Sequence, residues 1–236
     1  MKPEQLIEKS RPFLTYVSDW VEQLKPIPLS AVIVNPTRTA VVSIDVINGF
    51  CHEGPLASPR VRNIVGPIVD LFRKAHAAGV RQMVLIQESH EPDALEFAAY
   101  PPHGIRGTAE SDTVPEIKAL PFFHQMTVIT KNSIHPALGT TFEAWLAGHP
   151  QVDTFIAVGD CTDLCTYQLA MHLRLRANAD QLRQRVVVPA ACVETYDLPV
   201  SVAQQIGATP HDGDVLHHLF LYHMGLNGIE VVKHVE

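Results

Sequence analysis

Short apolar runs alternate along most of the chain with longer stretches that have a helical period. Five runs are continuously apolar and rich in Val and Ile, which is typical of strands covered on both faces of a sheet. The stretches between them carry apolar residues at helical spacing. This alternation predicts βαβ units and an α/β domain with a mainly parallel sheet. The predicted strands are 40–45, 82–87, 126–130, 153–158 and 185–188, and the predicted helices are 61–78, 140–147 and 163–183.

The two ends of the chain have a different pattern. A first helix is predicted over 3–24, and the segment after it contains Pro26, Pro28 and Pro36, which oppose regular structure. The tail after Ser201 is predicted to be helical as far as about Met224 and to end in an apolar stretch. We predict that 1–37 form a helical arm, lying on the domain or reaching a partner subunit, and that 38–236 form one domain.

Composition and charge exclude several classes of protein. The 236 residues, 46% of them hydrophobic, suffice for a single α/β domain. A net charge of -7, with no cluster of Lys and Arg, disfavours a nucleic-acid partner. No apolar run approaches the ~20 residues that a membrane span needs, and the charged N-terminus lacks a signal-peptide core. The four cysteines form neither a disulfide framework nor a zinc-finger pattern, so we expect a cytoplasmic protein.

Candidate chemistry lies where the predicted strands end. Asp45, Glu88, Lys131 and Cys165 each stand at or just after the carboxyl end of a strand, where parallel sheets bind ligands. A cysteine at the start of a helix experiences the positive end of the helix dipole, and a nearby lysine would favour the thiolate further. Asp45 would then accept the thiol proton and return it to a leaving group. Each residue alone is also compatible with a structural role, but three together favour catalysis.

A second group of residues has the composition of a metal site. Glu88 and His90 are two positions apart, so an extended segment would direct both side chains to one side, and Glu96 and His103 follow. Two imidazoles with carboxylates match the ligands of Zn²⁺, Mn²⁺ or Fe²⁺. The bare pattern, however, is more often produced by histidines in a solvent-facing loop.

Taken together, these segments resemble the isochorismatase-like cysteine hydrolases, and among them most closely the nicotinamidases. The resemblance covers about two-thirds of the chain, from about Thr39 to Cys192, and it implies a three-layer α/β/α fold with a mainly parallel central sheet. Five segments carry it: AVVSIDVINGFCHEGPLA, QESHEPD with YPPHGIRGT, TVITKNS, VGDCTDLCTYQLAMHL and VVVPAACVET.

The resemblance implies a catalytic triad. It makes Cys165 the nucleophile, Asp45 the general acid and base, and Lys131 the third member. It also implies a cis peptide between Asp160 and Cys161, which directs the backbone N–H of Cys161, together with that of Cys165, toward the developing oxyanion.

The resemblance further implies a bound divalent metal, with zinc favoured over manganese or iron. Its ligands would be Glu88, His90 and His103, and Glu96 would occupy the position of an extra carboxylate ligand found in some nicotinamidases. Phe50 and Tyr100 would flank a flat ring in the substrate pocket.

Two departures from the family pattern concern the metal and the substrate. Glu88 replaces the usual metal-binding aspartate and has a longer side chain. The sequence Ile134, His135, Pro136 and Ala137 replaces the Tyr-Ser-Ala-Phe that often follows the lysine and helps to line the pocket. The second departure alters the surroundings of a bound ring.

We therefore expect a cysteine-dependent amidohydrolase that cleaves a small carboxamide through a thioester, with nicotinamide the favoured substrate and a homo-oligomer the expected assembly. The alternatives are a metal-free carbamoyl or ureido amidohydrolase and an isochorismatase, although the latter does not use the cysteine. Outside the enzyme class, Cys161 and Cys165 could form a redox couple, or the chain could be a catalytically silent binding subunit.

Overall fold

The computed structural model describes residues 2–236, and in this range seven strands form one sheet. Every pairing between its strands is parallel. All five predicted strands are present, whereas the two shortest strands were missed by the sequence pattern. The spatial order is β3-β2-β1-β4-β5-β7, with β6 paired to the end of β4. The strands are β1 (Thr39–Ile44), β2 (Gln82–Glu88), β3 (Thr127–Lys131), β4 (Thr154–Asp160), β5 (Arg185–Pro189), β6 (Val193–Glu194) and β7 (Glu230–Val232).

The predicted helices are present with two interruptions. The stretch 61–78 is divided by a turn at Asn63 and Ile64, and the C-terminal tail is divided after Gly207, whose φ of 71° ends a helix. None of the helices within 2–236 is both long and apolar enough to cross a membrane. The helices are α1 (Pro3–Glu22), α2 (Leu29–Val32), α3 (Asn48–Cys51), α4 (Pro59–Arg62), α5 (Val65–Ala77), α6 (Pro115–Lys118), α7 (Phe142–Gly148), α8 (Cys165–Ala179), α9 (Val200–Ile206) and α10 (Gly213–Leu226).

Helices cover both faces of the sheet. Successive strand residues point to opposite faces, so Val41 and Leu85 pack with α5 and α6 on one side, while Val42 packs with α7, α8 and α10 on the other. Because both faces are buried there, β1, β2 and β4 have no polar alternation, whereas the edge strand β3 is exposed at Thr127, Val128 and Thr130. The predicted three-layer α/β/α architecture is confirmed.

The N-terminal segment lies on its own domain. Trp20 of α1 contacts Tyr222 of α10 edge to face, with ring centroids 5.5 Å apart. Downstream, the N–H of Ile27 donates to the carbonyl of His234 at 3.0 Å, so the segment after α1 pairs with the end of the chain. The expectation that the prolines here prevent regular structure is wrong for α2, which forms one turn starting directly after Pro28. The first half of α1 remains exposed, including the apolar Leu6 and Ile7.

Candidate active site

The parallel sheet brings four of the predicted residues to one edge. Asp45 follows β1, Glu88 ends β2 and Lys131 ends β3 in register with Glu88. Cys165 begins α8, shortly after β4, which pairs with β1 as far as Ile44 and Gly159. Strand ends in a parallel sheet meet at the same edge, so residues distant in sequence become neighbours here.

Lys131 lies at the centre of this group. Its ammonium nitrogen is 2.7 Å from Asp45 Oδ2, 2.8 Å from Glu88 Oε1 and 3.5 Å from Cys165 Sγ. Lys131 is 2% exposed, and the other three residues are also buried. A buried ammonium requires such partners, because an uncompensated charge in the interior is strongly unfavourable.

Glu88 connects the triad with the predicted metal ligands. Its Oε1 faces Lys131 and also lies 3.7 Å from Cys165 Sγ. Its Oε2 lies 3.0 Å from His103 Nε2 and 3.3 Å from His90 Nε2. One carboxylate is therefore shared between the two clusters that the sequence pattern treats separately.

The backbone around Asp45 is tightly constrained. Asp45 has a φ of 58°, in the left-handed region that aspartate tolerates better than most residues, and its Oδ1 accepts a hydrogen bond from the N–H of Glu88 at 2.8 Å. Across the sheet, Gly159 has a φ of 123°, and a Cβ placed there would lie 1.9 Å from the carbonyl oxygen of Ile44. Only glycine therefore fits at this position, which precedes the turn leading to Cys165.

Burial and the mutual charges of Asp45, Glu88 and Lys131 determine the pKa values of these three residues. Burial raises the pKa of Asp45 to about 6, although Lys131 acts in the opposite direction. Burial also favours the neutral form of Glu88, but Lys131 and the two histidines outweigh it and hold the pKa of Glu88 well below its usual value. The pKa of Lys131 is raised, because its anionic neighbours outweigh the effect of burial.

The thiol of Cys165 differs from the sequence-based expectation. We predicted that the helix dipole and Lys131 would lower its pKa. Instead, burial raises the pKa of Cys165 well above its ordinary value, and Asp45 and Glu88 add to this while Lys131 opposes it. The prediction of a lowered thiol pKa is therefore wrong for this site without substrate, and the thiol needs a neighbouring base to accept its proton.

The two histidines are held with one ring nitrogen of each directed at Glu88. The Nδ1 of His90 donates to Asn132 Oδ1 at 2.8 Å, and the Nδ1 of His103 donates to the carbonyl of Pro101 at 2.8 Å. A protonated ring donates from Nε2 to this carboxylate and so lowers the pKa of Glu88, whereas a neutral ring presents a lone pair to it, an arrangement that requires a bridging cation. His90 Nε2 has no hydrogen-bond partner among residues 2–236.

Glu96 lies beside the three other candidate metal ligands. One ligand atom from each of Glu88, His90, Glu96 and His103 lies within 4.8 Å of the others. Two nitrogens and two carboxylate oxygens form a donor set that suits zinc, manganese or iron. The residues present therefore fit a divalent metal.

A partly enclosed cleft opens over these groups. Phe50, Tyr100 and Cys161, which the sequence predicted to bind substrate, all line it, and the peptide between Asp160 and Cys161 is cis as expected. Cys165 is the first residue of α8, so its backbone N–H has no partner within the helix. Ile134, from the segment expected to help line the pocket, also lies here, whereas the sequence pattern missed the other lining residues, which are Leu56, Val61, Asp160, Leu164 and Tyr196.

Tyr196 is fixed by a buried ion pair behind the cleft. Its ring stacks on His211, with centroids 3.8 Å apart, and His211 Nε2 lies 2.8 Å from Asp163 Oδ2. Asp163 also accepts a hydrogen bond from the hydroxyl of Thr195 at 2.6 Å. Burial favours the neutral form of each group, but the pairing outweighs it, raising the pKa of His211 above 6.5 and lowering the pKa of Asp163 below 3.8.

Replacing His211 with alanine is expected to cost more stability at mildly acidic than at alkaline pH. The raised pKa of His211 gives stability that is fully present below 6.5 and disappears as the pH rises through the folded-state value. The lowered pKa of Asp163 gives stability that is present above 3.8 and disappears on further acidification. Urea unfolding should therefore show a loss of about 1.5 kcal/mol near pH 5.5 and a smaller loss near pH 8.5. His124→Ala, which removes an exposed histidine, is the control. If the loss of stability beyond that of the control were equal at both pH values, the ion pair between His211 and Asp163 would not be the source of the stability.

Comparison with known proteins agrees with this geometry. The family model described as the isochorismatase domain matches residues 39–203. Nicotinamidase 1 of Arabidopsis thaliana is 31% identical over 215 residues, which cover 84% of this chain and 87% of that protein.

Solved structures provide a likeness of fold. A nicotinamidase from Bacillus subtilis has 23% identity and a TM-score of 0.63, covering 83% of this chain and 99% of its own. An N-carbamoylsarcosine amidase from Thermoplasma acidophilum has 23% identity and a TM-score of 0.63, covering 83% of this chain and 96% of its own.

Proposed function

The chain belongs to the isochorismatase family, and from this premise we propose that it is a cysteine-dependent amidohydrolase that converts nicotinamide, or a closely related ring carboxamide, to the acid and ammonia. The family and the curated relative support a hydrolase, and more specifically an amidase. The observation that carries the proposal is the contact of Lys131 with both Asp45 and Cys165, directly beside the cluster of His90 and His103.

In the proposed reaction, Asp45 acts as the base for a thiol that is protonated at rest. As the sulfur of Cys165 attacks the carbonyl carbon, its proton passes to Asp45, whose pKa of about 6 suits transfer in both directions near neutral pH. The N–H groups of Cys161 and Cys165 stabilise the oxyanion of the tetrahedral intermediate. Lys131 limits the build-up of negative charge on this side of the cleft.

The intermediate then collapses and the enzyme is regenerated. The C–N bond breaks as Asp45 returns its proton to the leaving amine, so that ammonia departs and a thioester on Cys165 remains. Water then attacks the thioester, giving a proton to Asp45, and the carboxylic acid leaves as the thiol is restored. No step consumes an oxidant or a reductant.

A divalent metal would be held by Glu88, His90, Glu96 and His103. Such an ion supplies a Lewis-acid contact for a ring nitrogen and so orients the substrate. Phe50 and Tyr100 would pack against the ring, and the hydrogen bonds from His90 to Asn132 and from His103 to Pro101 keep the two imidazoles in place.

Metal analysis combined with ammonia release from nicotinamide tests this function. We expect about one zinc, manganese or iron ion per chain by mass spectrometry, together with ammonia release. The variants His90→Ala and His103→Ala should contain less metal and have a higher KM. We expect their metal affinity or activity to fall by on the order of 10–100-fold. The control is His124→Ala, an exposed histidine outside the cleft, which should change neither.

A protein that binds no metal and releases no ammonia from nicotinamide would contradict the proposal. Testing N-carbamoyl and ureido compounds would then distinguish an amidase of another specificity from a silent binding subunit.

The assembly and cellular location also remain proposals. We propose a homo-oligomer in the cytoplasm acting on a small amide, with no nucleic-acid partner. Self-association is supported by the exposed first half of α1, where the apolar Leu6 and Ile7 lie beyond the part of the helix that packs on α10 through Phe13 and Trp20.

A further inference from the structure

Asp160 is a buried acid that the proposed mechanism does not use. It is the last residue of β4 and is 1% exposed, yet it lines the same cleft as Cys165 and Phe50. Its Oδ2 accepts a long contact from the Cys161 thiol at 3.8 Å, and its Oδ1 has no hydrogen-bond partner among residues 2–236. Buried polar atoms are nearly always paired, so an orphaned oxygen in a cleft wall requires an explanation.

The surroundings of Asp160 are apolar on one side. Along β4 the even-numbered positions Ile156 and Val158 pack into the core that also contains Phe50 and Val61. Asp160 continues this alternation at the end of the strand, where another aliphatic side chain would complete the packing. A carboxyl group at such a position costs stability unless a ligand satisfies it.

The charges around Asp160 indicate what kind of ligand group it accepts. Burial raises the pKa of Asp160 well above its ordinary value, and the nearby Asp45 and Glu88 add to this effect. Lys131 opposes it, but Lys131 is already bound to both of those carboxylates. The raised pKa favours the neutral carboxyl group, whose carbonyl oxygen accepts a hydrogen bond from an N–H or O–H group of a ligand.

We propose that Asp160 is a specificity-determining residue whose Oδ1 accepts a hydrogen bond from an N–H or O–H group that the substrate carries in addition to its scissile carboxamide. The substrate class is then a ring carboxamide with an amino or hydroxyl substituent. This inference rests on the proposed function of the same cleft and narrows its substrate.

Steady-state kinetics with matched ligands tests the inference. Nicotinamide is compared with its ring-amino and ring-hydroxy derivatives in the wild type, in Asp160→Leu and in the isosteric Asp160→Asn. We expect at least one derivative to exceed nicotinamide in kcat/KM by on the order of 10-fold or more in the wild type. Asp160→Leu should remove this preference, bringing the ratio of kcat/KM for the derivative to kcat/KM for nicotinamide to about one.

Stability measurements separate this role from a purely structural one. Because Leu resembles Asp in shape and removes the orphaned oxygen, Asp160→Leu is expected to raise the urea midpoint of unfolding. A lower midpoint together with an equal loss of activity on all carboxamides would overturn the inference, as would a wild type with no preference for any derivative.

Failure of the proposed amidase function can be distinguished from failure of the inference about Asp160. If no carboxamide releases ammonia, calorimetric binding of the same ligands to wild type and Asp160→Leu decides the inference alone. Tighter binding of a derivative than of nicotinamide, lost in Asp160→Leu, supports it, and equal discrimination by both proteins overturns it.

Discussion

Replacing Cys165 with alanine is expected to lower kcat/KM for carboxamide hydrolysis by a factor on the order of 10⁴ or more. The thiol supplies the only bond to the acyl group in the proposed pathway, and the neighbouring Asp45 and Lys131 have no substitute nucleophile to activate. Ammonia release measures the rate, and mass spectrometry of the wild type during turnover should detect an acyl adduct on Cys165.

The matched control is Cys192→Ala. Cys192 is also a buried free thiol, but it lies in the core on the α5 side of the sheet and does not line the cleft. This variant should keep most of the activity. If Cys165→Ala retained a tenth of the wild-type rate, covalent catalysis by this residue would be excluded and the thioester mechanism would have to be abandoned.

Lys131→Met is expected to destabilise the protein by about 3–5 kcal/mol and to abolish turnover. Lys131 is the ammonium shared by Asp45 and Glu88, and removing it leaves two buried carboxylates side by side without a partner of opposite charge. One of them would then take up a proton, raising its pKa in the folded state. Since such a proton is bound more easily at low pH, the defect measured by urea unfolding should shrink as the pH falls.

Lys74→Met provides the control for this experiment. Lys74 also pairs with a carboxylate, Asp70, at 2.9 Å, but both side chains are exposed on α5. Exposed pairs contribute little, so the change should stay within about 0.5 kcal/mol. A loss below about 1 kcal/mol for Lys131→Met would mean that the buried carboxylates are already neutral and need no ammonium.

The parts of the fold that the sequence predicts are those that local pattern determines. Continuous Val and Ile runs mark the central strands, because burial on both faces requires apolar residues at every position. The strands β6 and β7 have two and three residues, too few for any period, and they are held by pairing with β4 and β5. The same limit explains the division of the tail, where Gly207 and Pro210 lie in a stretch that otherwise looks helical.

The candidate site was predictable to the extent that strand ends define it. Asp45, Lys131 and Cys165 follow from their position after strands, since a parallel sheet collects its carboxyl ends at one edge. Side-chain direction is not encoded in that pattern. The bridging position of Glu88 depends on which neighbours its two oxygens reach. Asp160 lies two residues beyond the predicted strand 153–158, and the sequence does not show that its side chain faces the cleft. The raised pKa of Cys165 likewise depends on burial, which only the packed structure reveals.

The pairing of the segment after α1 with the end of the chain has a consequence for biosynthesis. Lys25, Ile27 and Leu29 hydrogen-bond to residues 233–236, which continue from the edge strand β7. The first of these segments leaves the ribosome long before the second. The contacts between them cannot form until residues 233–236 have been synthesised, so a chain stalled before β7 would expose the edge of β5 as a surface for pairing with other chains.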